Sequence, residues 1–560
     1  MSMGGAVGSG NGTRGPSTAR SRLLNGALHS LLLASVALFF LNFNIAGTAT
    51  PSKRFSQDLV YAWFGDEAWL YPRATAAGPN AGNGQPKVVV VMLDERALDL
   101  RGVRWPAPME FHAQLLSELE VLRPRGILVD FLLIDPAPHE GVCDLLSVAA
   151  QLREQAIPLY LAVTRRDDLA HMDAADCKDE SGKALRVADV ITVVSVERRA
   201  DDSDFVSRTY PFEQRSEADV PGTGIASAAV RMYCDAFGPP KACVARLTAN
   251  RPANAGFELA WSPRGDPFNQ RWSGVSCIPT TSPMNAVLNQ PALPRESRCP
   301  PVATLFASVL LNPDEDPLLD NDKLFGLVKG SFVMVGGNIR GSGDLVTTPL
   351  HTLLPGVYYH AVALQNLVAF DGHPKVRKEY RTPKLPYYCF DLLVLWLLAA
   401  IFLWRQHWVS PGKLGPFGLS DAARGWIAPF IARYPTHAWI LTASVLLLLM
   451  AAYRKPQLIA VALIIVALVG VELRVAGHGE IRERMRGIAL YFGAIGVSLA
   501  VIVLAVWIGY RWLRLPPGDW LGYFSFAAFG FFVAHTAILE FGRRIDELYR
   551  ERLAGGGGRK

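Results

Sequence analysis

The sequence predicts an α/β domain held outside a membrane, with one membrane helix before it and a helical bundle after it. Three observations carry this. Half of the 560 residues are hydrophobic and only 19% are charged, with a mean hydropathy of +0.19, which is too apolar for a wholly soluble chain. The apolar residues concentrate in one run near the N-terminus and several in the last third. The roughly 340 residues between them hold no membrane-length run and instead alternate short apolar strands with helical patterns.

A bilayer core needs about 20 mostly apolar residues per helix. Six segments qualify: Leu23–Phe43, Tyr387–Trp404, Thr436–Tyr453, Pro456–Leu473, Ile488–Tyr510 and Trp520–Leu539. With the N-terminus inside, the inner segments carry 17 Lys and Arg residues and the short outer loops carry 4. Positive charge marks the cytoplasmic side, so both termini are expected in the cytoplasm. An even number of crossings agrees. The expected organisation is a disordered tail (1–22), a first span (23–43), an outer domain (45–385), a bundle of about five helices (387–539) and a cytoplasmic tail (540–560). The expected location is a bacterial inner membrane, with the large domain in the periplasm. Gly47-Thr48-Ala49 has the small residues of a signal-peptide cleavage site, but an apolar core of about 20 residues exceeds the usual 7–15, so the first helix is read as an anchor. A net charge of +6 is too small to argue for nucleic acid.

Cysteine usage fits that topology. Cys143, Cys177, Cys234, Cys243, Cys277 and Cys299 lie in the outer segment, and Cys389 begins the second span. An even set in an oxidising compartment implies disulfides. Fifteen pairings are possible, and the sequential one closes the shortest loops. Cys-x-x-Cys does not occur, so zinc is not expected.

In the outer domain, Lys87–Leu93 is a β-branched run ending at Asp94-Glu95. Met109–Leu122 has helical spacing, and Gly126–Leu133 is a second apolar run, interrupted by Asp130. Asp144–Gln155 reads as a helix, Ile157–Val163 and Val190–Val196 as strands, Ser331–Gly336 as a strand and Gly356–Phe370 as a helix. Short buried strands alternating with helices argue for a parallel or mixed sheet covered on both faces. The stretch from about 198 to 301 is rich in Pro, Gly, Asn and Ser and holds four cysteines. It reads as an irregular, disulfide-pinned insertion outside the sheet.

These residues resemble a known family. The pieces are Asp94 followed by Glu95-Arg96-Ala97-Leu98, then Arg104-Trp105-Pro106 before a helix, and Gly126-Ile127-Leu128-Val129-Asp130. A C-terminal block follows: Val335-Gly336-Gly337, Asp344, Thr348-Pro349, Pro355-Gly356-Val357 and His360-Ala361-x-Ala363-x-Gln365-Asn366. In this order the chain resembles the CHASE type 2 class, the cyclase/histidine-kinase-associated sensory extracellular domain. The resemblance implies sensing, one helix before the domain, a membrane bundle after it, and a homodimer. Two departures stand out. The family commonly has three helices after the domain, and five are read here. Family members continue into a kinase, cyclase or related module, and none is expected in the roughly 20 residues after the last span.

Ligands of open α/β sheets bind beyond the carboxyl ends of the strands. Asp94 and Glu95 end the first strand, Asp130 sits near the end of the second, and Asp344 follows the last. If those strands are neighbours, the acids meet on one rim, with His351 and His360 near it. Such a rim can bind a cation or a hydroxyl- or amine-rich ligand; helix capping is the structural alternative. The glycine-rich stretch 336–343 lacks Gly-x-Gly-x-x-Gly, and no Walker lysine, Gly-x-Ser-x-Gly or His-Glu-x-x-His occurs there or downstream. No cofactor, metal or catalysis is therefore expected.

Ionisable residues inside a bilayer are costly and often functional. The reading finds few: His29 and His535 within spans, and Glu472 and Arg474 at an inner boundary. The tail Glu540–Leu553 carries charges at helical spacing and suits a stop signal or a docking helix. The expected function is sensing of an extracytoplasmic ligand or state, relayed through the bundle to a separate signalling partner. The alternative is a transporter or envelope-assembly component with a receptor domain.

Overall fold

A computed structural model describes residues 19–42, 49–64, 87–133, 141–312, 321–409, 480–517 and 520–525, except 166, 180, 201–203, 216–223, 250, 254, 264, 271–276, 279–296, 340–343 and 382. The chain divides into two compact units. One comprises residues 54–384 and 508–518; the other comprises 1–53, 385–507 and 519–560.

The first unit is built on a six-stranded sheet. Its strands are β1 (Val88–Leu93), β2 (Gly126–Val129), β3 (Leu159–Val163), β4 (Ile191–Ser195), β5 (Ala303–Phe306) and β6 (Phe332–Gly337). Their order is β5-β1-β6-β2-β3-β4, and every pairing is parallel. All residues of β1, β2, β3 and β6 are buried. Burial on both faces is why these strands read as continuous Val, Ile and Leu runs.

Side chains alternate between the two faces. Val91, Leu93, Ile127, Val129, Leu159, Leu161, Val333 and Val335 join one core with the helices Glu95–Leu100, Met109–Val121 and Val142–Glu154. The helix Val357–Ala369 covers β1 and β6 from the opposite face, beside the helix Ala228–Phe237 on β3 and β4. A Cβ at Gly336 would lie 2.4 Å from the Cβ of Val357. Glycine there lets the Val357 helix seat directly on β6.

The stretch 198–301 departs from the irregular insertion expected of it. It stays outside the six-stranded sheet, yet it forms the paired strands Thr209–Pro211 and Gly256–Glu258 and supplies the helices Ala228–Phe237 and Pro240–Thr248. Alternation of apolar residues at helical spacing (Ala229, Val230, Met232, Tyr233) is present but short, and the flanking Pro and Gly masked it. Two further elements escaped the sequence reading. One is β5, a four-residue edge strand. The other is the helix Ala49–Phe64, whose buried face carries Gln57, Asp58 and Tyr61 beside apolar residues.

Two disulfides follow the sequential pairing: Cys143–Cys177 and Cys234–Cys243. Cys299 is also disulfide-bonded; the side chain of its expected partner, Cys277, lies outside the described residues. Cys389 is free.

The second unit has an apolar core in which Leu33, Ala34 and Ala37 pack with Val394, Leu395, Leu398, Ala399 and Phe402, joined by Ile502, Ala505 and Tyr523. Alanines at these positions let helices approach closely, as membrane helices do. Among the described residues, Leu385–Leu403 is long and apolar enough to cross a membrane, while Ala27–Phe39 and Gly496–Arg511 are shorter apolar helices. The expected spans Thr436–Tyr453 and Pro456–Leu473, most of Trp520–Leu539, and the tail Glu540–Leu553 lie outside the described residues. The survey of ionisable residues needs one correction. Asp391 lies within the expected second span, is 3% exposed, and accepts a 2.6 Å hydrogen bond from the Tyr523 hydroxyl. Its apolar neighbours hid it from a survey by composition.

Candidate functional site

β2 ends at Val129, and alternation carries the next side chain, Asp130, to the sheet face that the Val357 helix covers. The Asp130 side chain is only 6% exposed, and its Oδ1 lies 3.6 Å from His360 Nε2. That separation is too long for a hydrogen bond. His360 Nδ1 bonds the Tyr210 hydroxyl at 2.7 Å, and the same hydroxyl accepts the backbone N–H of Ala229 at 3.2 Å. With that N–H as donor, the Tyr210 O–H is free to donate to Nδ1, which leaves the His360 proton on Nε2, pointing toward Asp130. Tyr359 packs on Tyr210 with ring centroids 4.8 Å apart, and its hydroxyl donates to the Thr209 carbonyl.

Burial and the charge of nearby Asp344 push the Asp130 carboxyl well above the usual carboxylate range. Burial pushes His360 down to about 3, so the imidazole is neutral near pH 7. Asp344 sits at the solvent-facing base of the hairpin Leu345–Thr348/Thr352–Pro355. Its carboxyl fills the space beside Gly356, where a Cβ would come within 2.3 Å of Oδ1. Partial burial raises its pKa, against opposing effects from the Gly356 N–H and Arg198.

The structure thus brings Asp130, Asp344 and His360 together and places the other candidates elsewhere. Asp94 begins the helix Glu95–Leu100 and accepts hydrogen bonds from Ser308 N (3.3 Å) and Oγ (3.0 Å) beyond neighbouring β5. Burial raises its pKa as well. With β6 between β1 and β2, Asp94 and Asp130 stand two strands apart, roughly 10 Å. Glu95 occupies the first turn of its helix, where a carboxylate suits the helix dipole. His351 is at the far tip of the hairpin, where its Nε2 meets the Ser262 carbonyl at 2.6 Å and its N–H bonds Thr348 Oγ1. Tyr210 and Tyr359 were not anticipated. Tyr210 comes from the stretch read as irregular, and Tyr359 precedes His360 within a nearly all-buried helix.

A second cluster was equally unseen. Arg208, 5% exposed, bonds Asp58 through Nε and Nη2, the latter at 2.7 Å. Nη1 bonds Asp204 at 3.0 Å. Buried Glu258 accepts from Gln57 Nε2 at 2.8 Å and pairs with Arg377. On the same unit, Lys375 Nζ donates to the Tyr510 carbonyl at 2.6 Å and lies over the Tyr510 ring. Burial and the charges of Arg514, Arg511 and Arg381 lower its pKa to about 7. These bonds fasten Arg54–Phe64 and Ile508–Leu515, the two segments that adjoin apolar helices, to the body of the α/β unit.

The motif residues acquire physical roles here. Gly336 and Gly356 make room for Val357 and for the Asp344 carboxyl, and Gly337 does the same for Phe131. Asn366 holds Ala260 through both backbone groups, at 2.8 and 3.1 Å. A comparison with known domain families matches the CHASE2 domain over residues 33–402, two thirds of the chain. The chain belongs to the CHASE2 family. CHASE2 domains are extracellular sensory domains of signalling proteins, and the disulfides agree with an oxidising compartment. The CHASE2 match begins inside the first apolar helix and ends inside Leu385–Val409, so it takes in the whole α/β unit between them. No curated protein and no solved structure matches the chain.

Proposed function

We propose that this protein is a multi-pass bacterial inner-membrane sensor. Its CHASE2 domain faces the periplasm, responds to an extracytoplasmic ligand or state, and passes the response through its membrane helices to a separate signalling partner. The chain works as a homodimer in this reading and itself performs no catalysis. One observation carries the proposal. The segments adjoining the apolar helices are fastened to the sensory unit by buried ionic and hydrogen-bonded side chains, Asp58–Arg208 and Lys375–Tyr510. A change in the domain therefore has a stiff path to both segments.

The test is co-purification from gently solubilised native membranes. A cytoplasmic kinase, cyclase or regulator should accompany the full chain and be lost from a version ending at Lys384. Retention of the same set by the truncated version would contradict a relay through the membrane helices.

A further inference from the structure

Asp130 is a buried acid with no hydrogen-bond donor among the described residues. Its one close polar neighbour, His360 Nε2, stands at 3.6 Å. A buried carboxylate without donors costs several kcal/mol, so a fold that keeps one either holds it neutral or keeps it for a donor that arrives from outside. Everything around it is fixed. Ala229 N–H, Tyr210 and His360 form one hydrogen-bonded chain that ends facing the carboxyl. The Gly356 turn fixes the backbone of Asp344, whose N–H···O bond is 3.0 Å. Asp344 lies at the solvent-facing side, so the pair runs from the surface to the interior.

The chemistry of the donor follows from the charges. Two carboxyl groups close enough to raise one another's cost favour a cation over an anion or a neutral hydroxyl compound, because a cation relieves both. A metal ion is a poor occupant, since no group of three or more metal-ligating side chains exists among the described residues. Tyr210 and Tyr359 supply aromatic walls, which attract organic cations. We propose that Asp130 and Asp344 form a binding site for a small organic molecule bearing a primary ammonium group, with the ammonium donating to Asp130 and His360 positioning that carboxylate. This rests on the sensory reading, which it deepens by naming the ligand class.

The probe is ethanolamine, titrated calorimetrically into the full chain in lipid nanodiscs, with tetramethylammonium and calcium chloride as comparisons. Ethanolamine should bind saturably, and neither tetramethylammonium, which has no N–H, nor calcium should match it. Asp130→Asn keeps the shape and removes the charge. A charge-assisted hydrogen bond implies at least a tenfold loss of affinity in that variant, while Asp94→Asn should bind as the native chain does. Tyr210→Phe, which keeps both carboxylates and releases His360, should weaken binding several-fold and serves if Asp130→Asn does not fold. Absent ethanolamine binding, equal binding by Asp130→Asn, native affinity in Tyr210→Phe, or preferential binding of calcium each overturns the proposal. The relay reading fails separately. If ethanolamine does not bind while the co-purifying partner is still lost on truncation at Lys384, sensing stands with a different ligand.

Discussion

Asp58→Ala destabilises the α/β unit by about 3 kcal/mol or more, at pH 5 and at pH 8 alike. The substitution leaves the Arg208 guanidinium, 5% exposed, with only the more exposed Asp204 as a partner. A guanidinium cannot shed its proton, so acid brings no relief. Arg208→Ala behaves differently. It strands the Asp58 carboxylate, whose pKa burial already raises to about 6 even with Arg208 beside it. Removing the arginine raises that value further. A raised carboxyl pKa means that stability falls as pH climbs through it. The variant therefore costs about 3–5 kcal/mol at pH 8 and clearly less at pH 5, where Asp58 takes up a proton. Pulse proteolysis of the full chain across a urea series reads both. Equal losses for Arg208→Ala at the two pH values would show that the pair is not buried as described.

Removing the Cys143–Cys177 bridge has an effect of similar size. The bridge spans 34 residues, and loop-closure entropy for that length corresponds to about 4 kcal/mol. It ties the helix Val142–Glu154, which lines the core beneath β2 and β3, to the segment leading to β4. Cys143→Ala with Cys177→Ala should lower the urea midpoint of the α/β unit more than Cys234→Ala with Cys243→Ala. The second bridge spans 9 residues, which corresponds to about 3 kcal/mol. The reverse order, or no loss from the longer bridge, would mean that other contacts already fix the segment.

The core of the fold was legible in the sequence because it is buried on both faces. Val88–Leu93 and Phe332–Gly337 are continuous apolar runs that no exposed element would carry, and the structure moves their boundaries by a single residue. β5 was not legible. As an edge strand it is short, and its Ala303-Thr304-Leu305-Phe306 sequence contains a polar residue whose hydroxyl bonds Tyr358. The helix Ala49–Phe64 was lost for a related reason: Gln57 and Asp58 break its apolar face, and only the tertiary partners Glu258 and Arg208 explain their burial.

The candidate site was half legible. The phase of β2 alone puts Asp130 on the face opposite Ile127 and Val129, and a sequence reading that knew which helix covers that face would reach His360. Asp94 and His351 have the same chemistry as Asp130 and His360, but local bonds to Ser308 and Ser262 occupy them. Tyr210 gave no signal, because its position depends on the Thr209–Pro211 strand pairing with Gly256–Glu258 across nearly 50 residues of sequence.

The central claim is that the state of the sensory unit reaches both segments that adjoin the apolar helices. Hydrogen exchange of the full chain in lipid nanodiscs, comparing the native protein with Asp130→Asn, tests it most directly. The account predicts altered protection around Asp130 and His360 and also within Arg54–Phe64 and Ile508–Leu515. Adding Arg208→Ala should erase the change in Arg54–Phe64 and leave that around His360. A change confined to the neighbourhood of Asp130, with both adjoining segments unaltered, would contradict it.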